Sequence, residues 1–256
     1  MHLFSFHMDE LSAAKRGITK ALLFAAGLGT RLKPFTDNHP KALATVGDKT
    51  LLEWNLRYLQ RWGITDVVVN VHHFADQIED TLKSNNGFGS NVTVSDERDE
   101  VLETGGGLLK AAPHFEGADT IVAMNVDALT DLDLGALLRN HTDKGALATL
   151  AVMKRESSRY LLFDGNMRLS GWRNEKTGQV RESRPLQDAQ PFAFTGVQAL
   201  SPAFISGMRL TGKFSMIDAY LDAAFEGTII GYDHTGDRFI DVGKPESLAA
   251  AGSMFS

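Results

Sequence analysis

Short apolar runs alternate with amphipathic stretches along the first half of the chain. Residues 21–26 and 65–71 are apolar or β-branched runs of the length that forms buried strands. Residues 51–62 carry leucines at helical spacing, and Thr50 with Glu53 forms a capping-box pattern at the start, which predicts a capped helix. Residues 74–82 predict a second helix. The order strand, helix, strand, helix predicts an α/β fold with a doubly wound, mostly parallel sheet.

The pattern changes after residue 153, where a more polar region begins. Further strands are predicted at 91–95, 120–124 and 145–153, and the short runs 160–163 and 167–169 then predict a hairpin. A long apolar stretch at 192–200, a helix at 215–225 and a strand at 227–232 follow. The switch to strand, turn, strand predicts a small β-rich subdomain attached to the main sheet.

Composition limits the classes of protein that the chain can belong to. With 256 residues, 43% of them hydrophobic, the chain can bury a large core as a single domain. A formal net charge of −6 predicts no binding of nucleic acid or of an anionic membrane surface. The absence of cysteine excludes thiol catalysis and fits a cytoplasmic protein. Residues 1–19 lack the pattern of a secretory signal and are predicted to be an N-terminal extension.

The first apolar run ends in a glycine-containing turn with two cations nearby. Gly27 and Gly29 let the backbone turn sharply and bring its N–H groups close to a ligand. Arg31 and Lys41 then supply positive charge, so the turn is predicted to hold a polyphosphate. Leu32 stands where a dinucleotide fingerprint needs a third glycine, and the phosphate loop of P-loop NTPases is absent. Both facts argue against those two classes.

This segment resembles the signature of the sugar-1-phosphate nucleotidylyltransferases. The chain reads A-A-G-L-G-T-R-L-K-P-F-T followed by P-K-A-L, against G-x-G-T-R-(L/M)-x-P-x-T and P-K in that family. Within the family the chain is most similar to the N-acetylmuramate-1-phosphate uridylyltransferase type, and next to mannose-1-phosphate guanylyltransferase-like proteins. The resemblance implies a Rossmann-like fold, Mg²⁺ as cofactor, and a nucleoside triphosphate and a sugar 1-phosphate as substrates.

Three later segments also match family motifs, so the resemblance covers residues 20 to 250 approximately. The run L-E-T-G-G-G at 102–107 is similar to the turn beside the nucleobase, where three glycines would let a flat ring approach the backbone. Asp127 follows a predicted buried strand, where a carboxylate faces the ligand crevice of a doubly wound sheet. The run R-F-I-D-V-G-K-P at 238–245 resembles the closing motif that carries a second acidic residue, Asp241.

The resemblance implies a role for each matching position. The catalytic residues are predicted to be Arg31, Lys41 and Asp127, and the metal ligands Asp127 and Asp241. Asn125, Thr195 and Gly196 are predicted to contact the sugar. The nucleotide is expected to contact ten residues: Ala25, Ala26, Gly27, Gly29, Thr30, Arg31, Lys41, Thr104, Gly105 and Gly106.

The family pattern also divides the chain by expected role. The N-terminal extension is followed by one nucleotidyltransferase domain, 20–256. Its expected parts are a nucleotide-binding part at 20–153, a sugar-facing β insertion at 154–200 and a C-terminal part that returns to the site at 201–256. A monomer or a small homo-oligomer is expected.

The chain departs from the family pattern at several positions. Many members carry Glu-Lys-Pro upstream of the sugar segment, with the lysine on the sugar phosphate, and this triplet is absent here. Four cations could replace that lysine, and the sequence does not choose among them: Arg173, Arg181, Arg184 and Lys213. Val126 replaces the usual glycine before Asp127.

Alternative functions remain open at the level of sequence. The same chemistry with GTP and mannose 1-phosphate, or with another pair, is one. A catalytically silent nucleotide-sugar-binding regulatory protein is another, although Arg31, Lys41, Asp127 and Asp241 are all present. A dinucleotide-dependent oxidoreductase would need a glycine at Leu32 and an acidic residue at the end of the second strand.

Overall fold

A computed structural model of the chain describes residues 17–255. Residues 1–16 of the predicted extension at 1–19 therefore lie outside the described residues. The α-helices of the described part are α1 (Leu51–Arg61), α2 (Ala75–Ser84), α3 (Glu103–Ala111), α4 (Leu134–Asp143), α5 (Pro202–Ser206), α6 (Met216–Ala223) and α7 (Pro245–Phe255). None of the helices between residues 17 and 255 combines the length and apolar character that crossing a bilayer requires.

The strands form one large mixed sheet and two small ones. The first six along the chain are β1 (Thr19–Phe24), β2 (Thr45–Val46), β3 (Lys49–Thr50), β4 (Asp66–Val71), β5 (Asn91–Asp96) and β6 (Thr120–Asn125). The next four are β7 (Ala128–Thr130), β8 (Ala148–Met153), β9 (Arg159–Phe163) and β10 (Leu169–Asn174). The last four are β11 (Val180–Glu182), β12 (Gln190–Leu200), β13 (Ile229–Asp233) and β14 (Phe239–Asp241).

The centre of the large sheet is parallel, which confirms the predicted doubly wound α/β fold. Strand β1 pairs in parallel with β4 and β6, and β5 adds in parallel to β4. The long strand β12 then runs antiparallel to β6, β8 and β9, while β13 pairs in parallel with β8. The carboxyl ends of β1, β4, β6 and β8 therefore lie at the same edge of the sheet, where doubly wound folds bind ligands.

Side chains that alternate along the central strands pack into two separate hydrophobic cores. On β1, Leu23 packs with one core, which also takes in α1, α2 and α4, while Leu22 packs with the other, which takes in α3, α5 and α6. Both leucines are fully buried. Burial on both faces explains why β1 reads as a continuous apolar run in the sequence.

The polar region after β8 forms an antiparallel extension of the sheet. Strands β9 and β10 pair as a hairpin, β11 adds to β10, and β9 is joined to the main sheet through the first residues of β12. The predicted hairpin is thus present, with β10 beginning at Leu169 and running further than expected.

Candidate active site

The turn after β1 is held by a buried polar pair from the neighbouring strands. Asn70, near the end of β4, accepts hydrogen bonds on Oδ1 from the backbone N–H groups of Ala25 and Ala26, at 2.7 and 3.2 Å. Its Nδ2 donates to Oε1 of Glu97 at 2.7 Å, and Glu97 is fully buried. Burial raises the pKa of Glu97, while the bonds from Leu102 and Asn70 oppose that shift. The conformation of this turn therefore depends on two side chains that the sequence did not single out.

Gly27 and Gly29, the two glycines of the turn, differ in how closely other atoms surround them. Gly29 has φ 61°, and a Cβ there would lie 2.9 Å from Cγ2 of Thr36 and 3.0 Å from Cβ of Lys41. It is thus required both by its backbone conformation and by close packing. A Cβ on Gly27 would meet nothing within 4 Å. Gly27 is therefore the glycine beside which open space remains for a ligand.

Lys41 and Asp127 form an ion pair at the floor of the crevice. Lys41 is 9% exposed, and its ammonium group donates to Oδ2 of Asp127. Lys41 begins a short 3₁₀ turn, Lys41–Leu43, after Pro40, whereas Asp127 follows β6. Two residues 86 positions apart in the chain are thus brought into direct contact.

A two-stranded sheet brings Asp241 to the same place. Strand β14 pairs antiparallel with β7, Asp241 lies opposite Ala128, and the Val242 N–H donates to the Asp127 carbonyl at 2.9 Å. Asp241 is exposed to solvent at the end of β14. Partial desolvation by the surrounding protein raises the pKa of Asp241, and the nearby charge of Asp127 raises it further.

Three cations lie close enough to Asp241 to oppose the rise in its pKa. Lys41, Arg31 and Arg155 all lower the pKa of Asp241. Arg31 reaches the turn after β14, since a Cβ on Gly243 would lie 2.9 Å from Nη2 of Arg31 and 2.7 Å from Oδ1 of Asp241. Glycine at 243 therefore leaves the room that the guanidinium group needs. The four predicted charged residues Arg31, Lys41, Asp127 and Asp241 share one crevice.

Two carboxylates in this arrangement suit Mg²⁺ bound together with phosphates. Between residues 17 and 255 no group of three or more His, Cys, Asp or Glu side chains is placed to hold a metal ion. Mg²⁺ needs no such cage, because it keeps several waters and binds through one or two carboxylates and substrate phosphates. Asp127 and Asp241 repel each other, and a divalent cation between them would relieve that repulsion.

The glycines at 105–107 make room for protein in this structure. They lie inside the first turns of α3 and are buried. The N–H groups of Gly105 and Gly106 donate to the Phe214 carbonyl at 2.9 and 3.3 Å. A Cβ on Gly105 would overlap the Phe214 ring, and one on Gly106 the Gly212 carbonyl oxygen. The predicted turn, in which these glycines would let a flat ring approach the backbone, is here the start of α3, and the contacts of the glycines give them a packing role.

Thr104 is likewise engaged by the protein. Its hydroxyl oxygen accepts a hydrogen bond from the Met216 N–H, at the start of α6, at 3.0 Å. The α3 segment is therefore fixed against α6 and the turn before it. The predicted contacts of Thr104, Gly105 and Gly106 with the nucleotide stay predictions.

The predicted sugar segment lies against the end of β6, and the Thr195 side chain points into the core. A Cβ on Gly196 would lie 2.8 Å from Nδ2 of Asn125, so these two residues are in close contact. The buried Thr195 hydroxyl donates to the Ala151 carbonyl at 2.9 Å and pairs with Nε2 of His234 at 3.0 Å. A sugar at this position would therefore meet the backbone of Thr195 and the side chain of Asn125.

Three of the four cations proposed to replace the missing lysine are engaged elsewhere. Arg173 pairs with Glu175, and Arg181 with Asp218, both at 2.6 Å. Arg184 donates to the carbonyls of Ala224 and Gly227 at 2.6 and 3.0 Å. The fourth, Lys213, lies in the segment that packs on α3.

Arg155 is a further cation close to Asp241, and it was not among the residues predicted from the sequence. It follows β8 by two residues, and β8 ends at the same edge of the sheet as β6. Asp127 and Arg155 both lie just after the carboxyl end of a strand, and this position is the signal that could have pointed to Arg155 as well.

Comparison with known proteins agrees with the fold and with the family that the motifs indicated. Residues 20–254 match the family model described as nucleotidyl transferase. The N-acetylmuramate alpha-1-phosphate uridylyltransferase of Caulobacter vibrioides is 32% identical over 241 residues, covering 90% of this chain and 94% of that protein. The enzyme of the same name from Neisseria meningitidis is 30% identical over 249 residues, covering 91% and 99%.

A solved structure shows the same fold. The crystal structure of HddC from Yersinia pseudotuberculosis complexed with GMP-PN superposes with a TM-score of 0.75 at 24% identity, covering 93% of this chain and 99% of that one. The match of the family model over almost the whole described chain, together with the two relatives of similar length, shows that the chain belongs to the nucleotidyl transferase family.

Proposed function

We propose that the chain transfers a nucleotidyl group from a nucleoside triphosphate to a sugar 1-phosphate, with UTP and an N-acetylmuramate 1-phosphate-like sugar as the favoured pair. The observation that carries the reaction class is the crevice in which Arg31, Lys41, Asp127 and Asp241 meet. The favoured pair is supported by the two uridylyltransferases of about the same length.

In the proposed reaction an oxygen of the sugar phosphate attacks the α-phosphorus of the triphosphate. The bond from the α-phosphorus to the oxygen that bridges it to the β-phosphorus breaks, and pyrophosphate leaves with that electron pair. No protein nucleophile takes part. Catalysis then depends on positioning the two phosphates and on neutralising the charge that develops between them.

Each charged side chain has a place in this scheme. Arg31, which reaches the turn at Gly243, would hold the β- and γ-phosphates that become pyrophosphate. Lys41 would donate to the α-phosphate, and it can do so because its ammonium group has more than one hydrogen to donate beside Asp127. Asp127 and Asp241 would hold Mg²⁺, which supplies positive charge to both reacting phosphates.

The test is pyrophosphate release with Mg²⁺, measured for each nucleoside triphosphate against a panel of sugar 1-phosphates. The panel includes N-acetylmuramate 1-phosphate, mannose 1-phosphate and glucose 1-phosphate. We expect release that depends on both substrates and is fastest with UTP and N-acetylmuramate 1-phosphate. Release that is fastest with another pair would keep the reaction class and overturn the favoured pair. No release from any pair, with nucleotide binding retained, would overturn the proposed activity in favour of a regulatory binding protein.

A further inference from the structure

The proposed reaction needs positive charge on the side of the sugar phosphate as well as on the side of the triphosphate. Arg31 and Lys41 come from the segment after β1, and both are assigned to the triphosphate. The sugar segment Thr195–Gly196 belongs to β12, which lies on the opposite side of β6 from β1. A cation for the sugar phosphate is therefore expected on the β12 side of Asp127.

Arg155 occupies that side. Its Nη2 donates to the Phe194 carbonyl at 3.1 Å, and Phe194 directly precedes the sugar segment. The guanidinium carbon lies 5.0 Å from the centre of the Phe239 ring, two residues before Asp241. Arg155 is thus held between β12 and β14, the two strands that border the crevice on this side.

The guanidinium group of Arg155 lacks an acidic partner at short range. Within residues 17–255 it takes part in no ion pair, and its remaining contact is a 3.3 Å bond from Nη1 to the Glu156 carbonyl. Its Nε is buried and has no hydrogen-bond partner. Burial lowers the pKa of Arg155, and the charge of Asp241 opposes the shift. A desolvated arginine without an anion is costly, and a bound anion would relieve that cost.

We propose that Arg155 binds the phosphate group of the sugar 1-phosphate, in place of the lysine of the Glu-Lys-Pro triplet that is absent from this chain. This assignment rests on the proposed function. The planar guanidinium group can donate to two oxygens of one phosphate, and the contacts with Phe194 and Phe239 fix its plane before the substrate arrives. Arg155 thereby belongs to the substrate-binding residues together with Arg31 and Lys41.

The test compares three variants by steady-state kinetics: Arg155→Gln, Arg155→Lys and the control Arg173→Gln. Arg173 also carries one positive charge, but it is paired with Glu175 on the outer hairpin. We expect Arg155→Gln to raise KM for the sugar 1-phosphate by about 10- to 100-fold, the loss typical of a charge-assisted hydrogen bond, and to leave KM for the nucleoside triphosphate within about twofold. Arg155→Lys should recover part of the loss, and Arg173→Gln should match the wild type.

A binding measurement separates a role in phosphate recognition from a structural role. Calorimetry compares the affinity of the wild type and of Arg155→Gln for the sugar 1-phosphate and for the same sugar without phosphate. Loss of affinity for the phosphorylated sugar alone supports the proposal. Equal losses for both sugars, or an unchanged KM for the sugar 1-phosphate, would overturn it. If Arg155→Gln does not fold, the same two affinities measured on Arg155→Lys decide, with a selective loss expected.

The proposed function and the role of Arg155 can fail separately. A wild-type chain that releases no pyrophosphate overturns the reaction, and calorimetry with the sugar 1-phosphate still tests Arg155. An active wild type with an unaffected Arg155→Gln variant overturns the assignment of Arg155 alone.

Discussion

At the scale of single residues, the site is a set of charges whose positions are fixed by neighbours without charge. Gly243 leaves room for Arg31, and Gly29 lets Lys41 approach the turn after β1. The Lys41–Asp127 ion pair is largely shielded from water, with side-chain exposures of 10% and 19%. Electrostatic contacts in such a place are stronger than at the surface, which is why single substitutions here should affect turnover strongly.

Replacing either member of this ion pair should abolish most of the turnover. Lys41→Ala and Asp127→Asn are each expected to lower kcat by about a hundredfold or more, because each removes a preorganised charge beside the reacting phosphates. The measurement is pyrophosphate release, with circular dichroism to confirm folding. Lys83→Ala and Asp80→Asn change exposed residues on α2 and should keep wild-type rates. A folded Lys41→Ala variant with near-normal kcat would contradict the role of Lys41.

The packing role of the α3 glycines gives a prediction about stability. Gly106→Ala should lower the free energy of unfolding by about 1 to 3 kcal/mol, because the new Cβ overlaps the Gly212 carbonyl oxygen. In an unobstructed helix the same change would be stabilising. Urea unfolding followed by tryptophan fluorescence measures the difference. Gly27→Ala is the control, since a Cβ there meets nothing within 4 Å and should shift stability by less than about 0.5 kcal/mol. A stabilised Gly106→Ala variant would contradict this prediction, because the segment around Gly212 would then have moved to accommodate the new Cβ.

At the scale of elements, helix α4 is attached to the sheet through a buried histidine. His141 lies near the end of α4, and its Nδ1 is 2.9 Å from Oγ1 of Thr149 on β8. Burial lowers the pKa of His141 from 6.5 to about 4. The folded protein thus holds this histidine neutral at a pH where the unfolded chain protonates it.

The docking of α4 should therefore weaken as the pH falls. Above pH 6.5 His141 is neutral in both states and contributes no pH dependence. Between pH 6.5 and 4 only the unfolded state gains the proton, so the free energy of unfolding falls by up to about 3 kcal/mol and then levels off. Chemical denaturation of the wild type and of His141→Asn at each pH isolates this contribution, because the carboxylates titrate alike in both proteins. Parallel curves for the two proteins would rule out the contribution of His141.

At the scale of the whole molecule, the site is assembled from segments that lie far apart in the chain. Arg31 and Asp241 are separated by most of the described sequence, and strands β7 and β14 join the C-terminal part to the end of β6. A ligand that bridges these segments should stabilise the fold as a unit.

Substrate and metal should raise the melting temperature together. UTP with Mg²⁺ at about 100 times its dissociation constant is expected to add about 2.7 kcal/mol, which corresponds to roughly 5 to 10 °C for a chain of this size. Differential scanning calorimetry with and without EDTA measures the part that depends on the metal. Asp241→Asn should lose that part and keep the part due to the nucleotide alone. An Asp241→Asn variant with an undiminished response to Mg²⁺ would remove Asp241 from the proposed metal ligands.

The sequence by itself determined the fold class, and its family motifs predicted the charged residues that the structure brings together. Continuous apolar runs such as β1 and capped helices such as α1 are local patterns, and the structure confirms the doubly wound sheet that they predicted. Asp127 was predicted because it follows a central strand and also matches the family motif. The nucleotide and sugar contacts assigned from motifs stay predictions.

Only the tertiary structure decided which uncharged groups fix those charges and which arginines are paired with a carboxylate. The space beside Gly105 and Gly106 is filled by a segment about a hundred positions later, and no local pattern reports that packing. Arg173, Arg181 and Arg155 are all arginines of one polar region, and they differ in whether a carboxylate lies within reach. Such contacts arise from strand order and register across the whole sheet, and these depend on residues that are distant in the sequence.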